Sequence, residues 1–231
     1  MLFDLRGRGR RRTVQAIYLS LAILMGGGLV LFGIGGNTSG GLFDAINGGG
    51  GGGGGSSVDK VAQQRIDTYN KRLQANPRDE ASLLGMAKVR FQVASTGENF
   101  NQTQQAYTDK GLAQLRQADR AWTRYLALDP KKPDPSTANL MVQAYGQAGL
   151  KQYTKAVSAL EIVIDNRDES AGLYAQLAVL AAGANQTRKS ELSEKKALAL
   201  APKAQRKQLK SEIDLAKSQV TVQQPSSSSS G

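Results

Sequence analysis

Residues 172–202 read GLYAQLAVLAAGANQTRKSELSEKKALALAP, and this stretch decides the fold. Tyr174 is followed by Leu177 and Ala178, then by the small Ala181, and the stretch ends on Pro202. The same offsets return upstream. NPRDEASLLGMAKVRF (76–91) gives Leu83, Met86 and Ala87, starting six residues after Pro77. ANLMVQAYGQAG (138–149) gives Ala138, Met141, Val142 and Tyr145. Each is followed by a segment of the same period. ADRAWTRYLALDP (118–130) holds Ala118, Trp122 and Pro130, and YTKAVSALEIVID (153–165) holds Ala156 and Leu160. Steps of three and four place these residues on one helix face, and alternating large and small groups let that face nest against a partner helix.

Residues 58–219 as a whole are rich in Ala, Leu, Gln, Lys and Glu, all good helix formers. Pro77, Pro130, Pro133, Pro135 and Pro202 fall between periodic segments and act as breaks. The reading is an entry helix near 58–75, three helix pairs, and a closing helix near 203–219. These residues resemble the tetratricopeptide repeat (TPR), whose pattern is W-x2-L-G-x2-Y, then A-x3-F, then P. The resemblance covers about 58–202 and implies an all-α domain over 58–219, an α-solenoid of about three helix pairs with a closing helix. A non-repeating helical bundle is the alternative. Two departures stand out. Pro77 and Pro130 are 53 residues apart where the repeat is about 34, so STGENFNQTQQ is a long turn or the second helix is extended. Ser190 and Glu194 stand where the pattern has Ala and an aromatic, which implies a shifted or loosely packed helix.

The first 57 residues are of another kind. Residues 1–12 form a basic arm holding Arg6, Arg8, Arg10, Arg11 and Arg12 against Asp4. Residues 13–36 read as a transmembrane helix. From Val14 to Gly36 there are 23 uncharged residues, about 34 Å of helix against a ~30 Å hydrocarbon core. A cleaved signal has a shorter apolar core and a small-x-small site, so an uncleaved anchor is the better reading. The arginines precede the span and no Lys or Arg follows it before Lys60. They are therefore topogenic, with the N-terminus cytoplasmic and the remainder outside a cell (plasma) membrane crossed once. Residues 37–57, with eight glycines in a row from Gly48 to Gly55, read as a flexible linker. Residues 220–231, ending PSSSSSG, read as a disordered Ser-rich tail.

The chemistry of an enzyme is thin. The 231 residues contain no Cys and no His, which removes thiol and imidazole nucleophiles, bases and metal ligands. Phosphate-binding glycine fingerprints are absent, and the glycine runs precede no strand. The carboxylates Glu161, Asp165, Asp168 and Glu169 gather at a helix end and read as a solvated cap. No cofactor and no metal are expected, and a cell-envelope enzyme is the weakest reading.

A binding surface remains. The resemblance implies a concave groove that takes a peptide or partner helix, lined by the first helix of each pair. Its positions here are Leu84, Lys88 and Phe91, then Asn139, Gln143 and Gln147, then Gln176. Asn and Gln both donate and accept, so they suit a peptide backbone without asking for a sequence. Phe91 is placed as an anchor. The basic C-terminal end offers a second surface. Residues 58–231 are net +8, and Arg188, Lys189, Lys203, Arg206, Lys207 and Lys210 form an anionic-surface candidate for lipid or wall polymer. Leu192, Leu198, Leu200, Leu209, Ile213 and Leu215 are expected to pack inward beneath it. Neither stacking aromatics nor a groove-reading helix accompanies these charges, so nucleic acid is not an expected partner. The expected function is a membrane-anchored protein–protein interaction scaffold or accessory factor of a bacterial cell envelope.

Overall fold

The structure, a computed structural model, describes residues 55–222. Eight helices account for most of them. They are α1 (Gly55–Ala75), α2 (Glu80–Ala94), α3 (Asp109–Leu126), α4 (Pro135–Tyr145), α5 (Tyr153–Asp165), α6 (Ala171–Gly183), α7 (Thr187–Leu200) and α8 (Arg206–Val222). The described residues are all-α apart from one short hairpin, β1 (Phe100–Asn101) against β2 (Ala106–Tyr107). The basic arm, the expected span 13–36 and most of the linker 37–57 lie outside the described residues. Among the described residues no helix is long and apolar enough to cross a membrane.

The helices pack as successive hairpins, α2 with α3, α4 with α5 and α6 with α7. Entry helix α1 lies on α2, α5 lies on α6, and α8 closes the far end against α6 and α7. Local chemistry sets the helix starts. Asp134 caps α4, accepting from the Thr137 amide at 2.9 Å, and Pro135 fills the first helical position, where no amide donor is needed. Thr108 caps α3 through the Gly111 amide, and Ser170 caps α6 through the Leu173 amide. The turns into α5 and α7 share one backbone solution. Lys151 and Asn185 take left-handed φ values of 54° and 58°, and each is followed by a glutamine at the helix cap.

The hairpins bury equivalent residues. Leu83, Met86 and Ala87 on α2 match Ala138, Met141 and Val142 on α4 and Leu177 and Ala178 on α6. Their partners are Ala118 and Trp122 on α3 and Ala156 and Leu160 on α5. The residues between α2 and α3 form a long ordered turn. Phe100 and Tyr107 meet edge to face at 5.0 Å, and the Asn99 amide side chain donates to the Val93 carbonyl at 2.9 Å.

Three expectations need correction. Ser190 is buried and donates to the Ala178 carbonyl at 2.8 Å, so α7 is well seated on α6. It docks through small groups, Ser190, Ser193 and Ala197. That stripe turns its leucines the other way, and Leu192 and Leu200 are 58% and 41% exposed. On α8 the inward residue is Ile213, and Leu215, about 200° further round, is 62% exposed. The expected tail also begins too early. Helix α8 continues to Val222, and Val220 is buried in the core.

Candidate functional site

Of the expected groove residues, Leu84 and Lys88 lie on α2, Asn139 and Gln143 on α4, Gln147 just past its end, and Gln176 on α6. All six are half-buried. Phe91 does not belong with them. It is 4% exposed and sits in the core. The reason is the position of α2, which is packed by α1, α3 and α4 together and buries residues nearly all round. Asn139 and Gln143 are one turn apart and share a face of α4.

Lys88 is less free than a groove cation would be. Its ammonium lies 3.0 Å from Asp134, and so bridges α2 to the start of α4. Asp134 also accepts from the Thr137 hydroxyl, and its own amide donates to the Tyr125 hydroxyl at 3.1 Å. Burial pushes the Asp134 carboxyl up. The Thr137 hydrogen bonds and the Lys88 ammonium outweigh that and hold it below the usual carboxylate range. Sequence reading missed this junction, although DPST at 134–137 carries a readable cap signal.

A second junction ties α3, α4 and α5. Asp119 accepts from the Tyr145 hydroxyl at 2.7 Å and from Lys155 at 2.8 and 2.9 Å. Close by, a cavity of about 410 Å³ opens between the first turn of α5 and the end of α6, lined among others by Lys151, Tyr153, Lys155 and Asn185. It holds no carboxylate pair. No sequence signal marked it, because it arises where the turns of two neighbouring hairpins meet.

The basic end divides into spent and available charges. Lys189 pairs with Glu161 at 2.6 Å, and Lys210 with Glu194 at 3.0 Å and Asp214 at 3.1 Å. Arg206 donates to the carbonyls of Ala201 and Ala199, closing the end of α7. Arg188, Lys203 and Lys207 are exposed and enter none of the ion pairs among the described residues. The six expected anionic-surface residues are thus reduced to three available ones. The topogenic arginines lie outside the described residues. Among the described residues no cluster of three or more acidic side chains is arranged to hold a metal ion. No protein-family model matches the chain, and no curated protein or solved structure matches it.

Proposed function

We propose that this chain is a membrane-anchored scaffold that displays TPR-like helical hairpins outside the cytoplasmic membrane and binds a protein or peptide partner. The observation that carries the reading is the equivalence of the hairpins, which bury matching residues and leave half-buried side chains on their first helices. Stacked repeats of this kind offer an extended surface rather than a pocket. Asn139, Gln143, Gln147 and Gln176 supply neutral donors and acceptors along it. The uncharged stretch 14–36 and the arginines before it support a single anchor with the N-terminus inside.

Photo-crosslinking in intact cells tests both parts. A crosslinker at Asn139, Gln143 or Gln176 is expected to trap a discrete partner, and one at exposed Lys195 is not. A reporter fused after Gly231 is expected to be active only outside the cytoplasm. Equal trapping at all positions, or a reporter active inside, would sink the reading. The exposed trio Arg188, Lys203 and Lys207 favours one second reading, contact with anionic lipid or wall polymer.

A further inference from the structure

Glu194 stands four residues after Ser190, at the place that Trp122 takes after Ala118 and Leu160 takes after Ala156. In the first two hairpins that place holds a buried apolar side chain. In the third it holds a carboxylate whose side chain is only 16% exposed, and both of its partners come from α8. Lys217, itself 19% exposed, lies 2.5 Å from one oxygen, and Lys210 lies 3.0 Å from the other. Helix α6, the other support of α8, carries no charged residue at all. The apolar grip of α8 is narrow. Among the described side chains Ile213 and Val220 are its buried apolar residues, and only Val220 joins the main core cluster.

We propose that Glu194 is the latch of an undocking helix. Breaking its pairs with Lys217 and Lys210 releases α8 from α6 and α7 while the three hairpins stay folded. Neutralising Glu194 leaves the part-buried Lys217 ammonium without its partner while α8 stays docked, which is costlier than a lost surface pair and is relieved when α8 undocks. The hairpins are joined by a continuous apolar core running from Ala62 to Ala181, which salt does not screen and which α8 joins only through Val220. The contact of α8 with α7 is the ionic one, and it is the part of the α8 docking that ionic strength weakens. Local opening of such an edge element, at less than the cost of global unfolding, is the behaviour expected where apolar contacts are few.

The absence of cysteine from the chain makes the test direct. Full-length protein carrying Ile213→Cys, or Val220→Cys as a second reporter, is labelled with a thiol reagent, and Leu160→Cys reports the hairpins. With Glu194→Gln added, labelling at 213 and 220 is expected to rise about ten-fold and labelling at 160 to stay unchanged. High salt is expected to speed labelling at 213 and 220 when Glu194 is present and to have little effect on the Gln variant. Unchanged rates at 213 and 220 in the Gln variant would overturn the proposal. So would equal acceleration at 160, which would mean that the whole domain opens together.

Discussion

Tyr145 donates its hydroxyl hydrogen to Asp119 at 2.7 Å and so ties the end of α4 to the middle of α3. Lys155 holds the same carboxylate from α5, so Asp119 stays paired when the phenol is removed. Tyr145→Phe is therefore expected to cost only about 0.5–1.5 kcal/mol, the net value of one hydrogen bond. Chemical denaturation measures it, and a loss above about 3 kcal/mol would show that the phenol does more than bridge. Burial first, and then the Asp119 charge, push the phenol well above its ordinary value. Alkaline titration of the folded protein should accordingly show no phenolate absorbance that Tyr145→Phe removes.

Trp122 is 2% exposed and stacks on Tyr125 with ring centres 5.3 Å apart. Trp122→Ala is expected to cost about 3–5 kcal/mol, as large aromatic truncations in a packed core do. Its emission in the folded protein should be that of a buried indole. Red-shifted emission together with an unchanged melting temperature would place it at the surface instead.

Gly183 ends α6 beneath Tyr153. A Cβ added there would lie 2.8 Å from the tyrosine ring, and that ring is buried. Two effects oppose each other in Gly183→Ala. Helix propensity favours alanine by about 0.8–1 kcal/mol, whereas overpacking a core costs about 1–3 kcal/mol. The clash is with the root of the ring, Tyr153 Cγ, which cannot give way as a flexible side-chain end would, so the net change is expected to be destabilising. A thermal melt that rises on substitution would show that Tyr153 has room to move.

The helix spans could be read because apolar residues recur at three and four from Leu83 to Leu177, and because the prolines and caps mark the breaks between them. The places where reading failed share a physical cause. Ser190, Ser193 and Ala197 form the buried face of α7, so a search for hydrophobic residues points at Leu192 and Leu200 on the wrong side. Glu194 is unreadable as an interior residue until Lys217 of α8 is placed beside it. Phe91 looked like an anchor because α2 alone does not reveal that three other helices cover it. Of the candidate site, the polar positions Asn139, Gln143 and Gln176 could be read from the repeat offsets, while the Lys88–Asp134 bridge could not, since it joins residues 46 apart in the chain.

That bridge gives the domain an acid-sensitive joint. The Asp134 carboxyl is held below its unfolded value, so the charged form favours the folded chain. Its contribution is present above the usual carboxylate value of about 4 and is lost as pH falls through the lower folded-state value. Asp134→Ala removes the cap and leaves the buried Thr137 hydroxyl without its acceptor. The expected cost near neutrality is about 0.5–2 kcal/mol. Urea titrations near neutral pH and near about pH 3 check the sign. The gap between the two proteins should narrow in acid, and a gap that widens would overturn the assignment of Asp134 as the carrier.

The two proposed binding surfaces can be told apart by charge. Arg188, Lys203 and Lys207 are exposed and enter no ion pair among the described residues, so replacing all three with Gln should leave the melting temperature nearly unchanged. Surface substitutions of this kind usually stay within about 0.5 kcal/mol each. Lys210 is kept because it supports Glu194. Near an anionic membrane each basic residue contributes about 1 kcal/mol, so a trio that touches lipid should lose about 3 kcal/mol, more than a hundred-fold in vesicle affinity. Asn139→Ala with Gln143→Ala should leave vesicle binding untouched, because neutral amides add nothing to a charge-driven contact. Conversely, a partner held in the groove should survive the charge variant, tolerate moderate salt, and be lost from the amide variant. Co-purification and vesicle flotation with the two variants, each at low and high salt, make the comparison. Loss of the same protein partner from the charge variant and not from the amide variant would move the recognition surface from the first helices of the hairpins to the basic end.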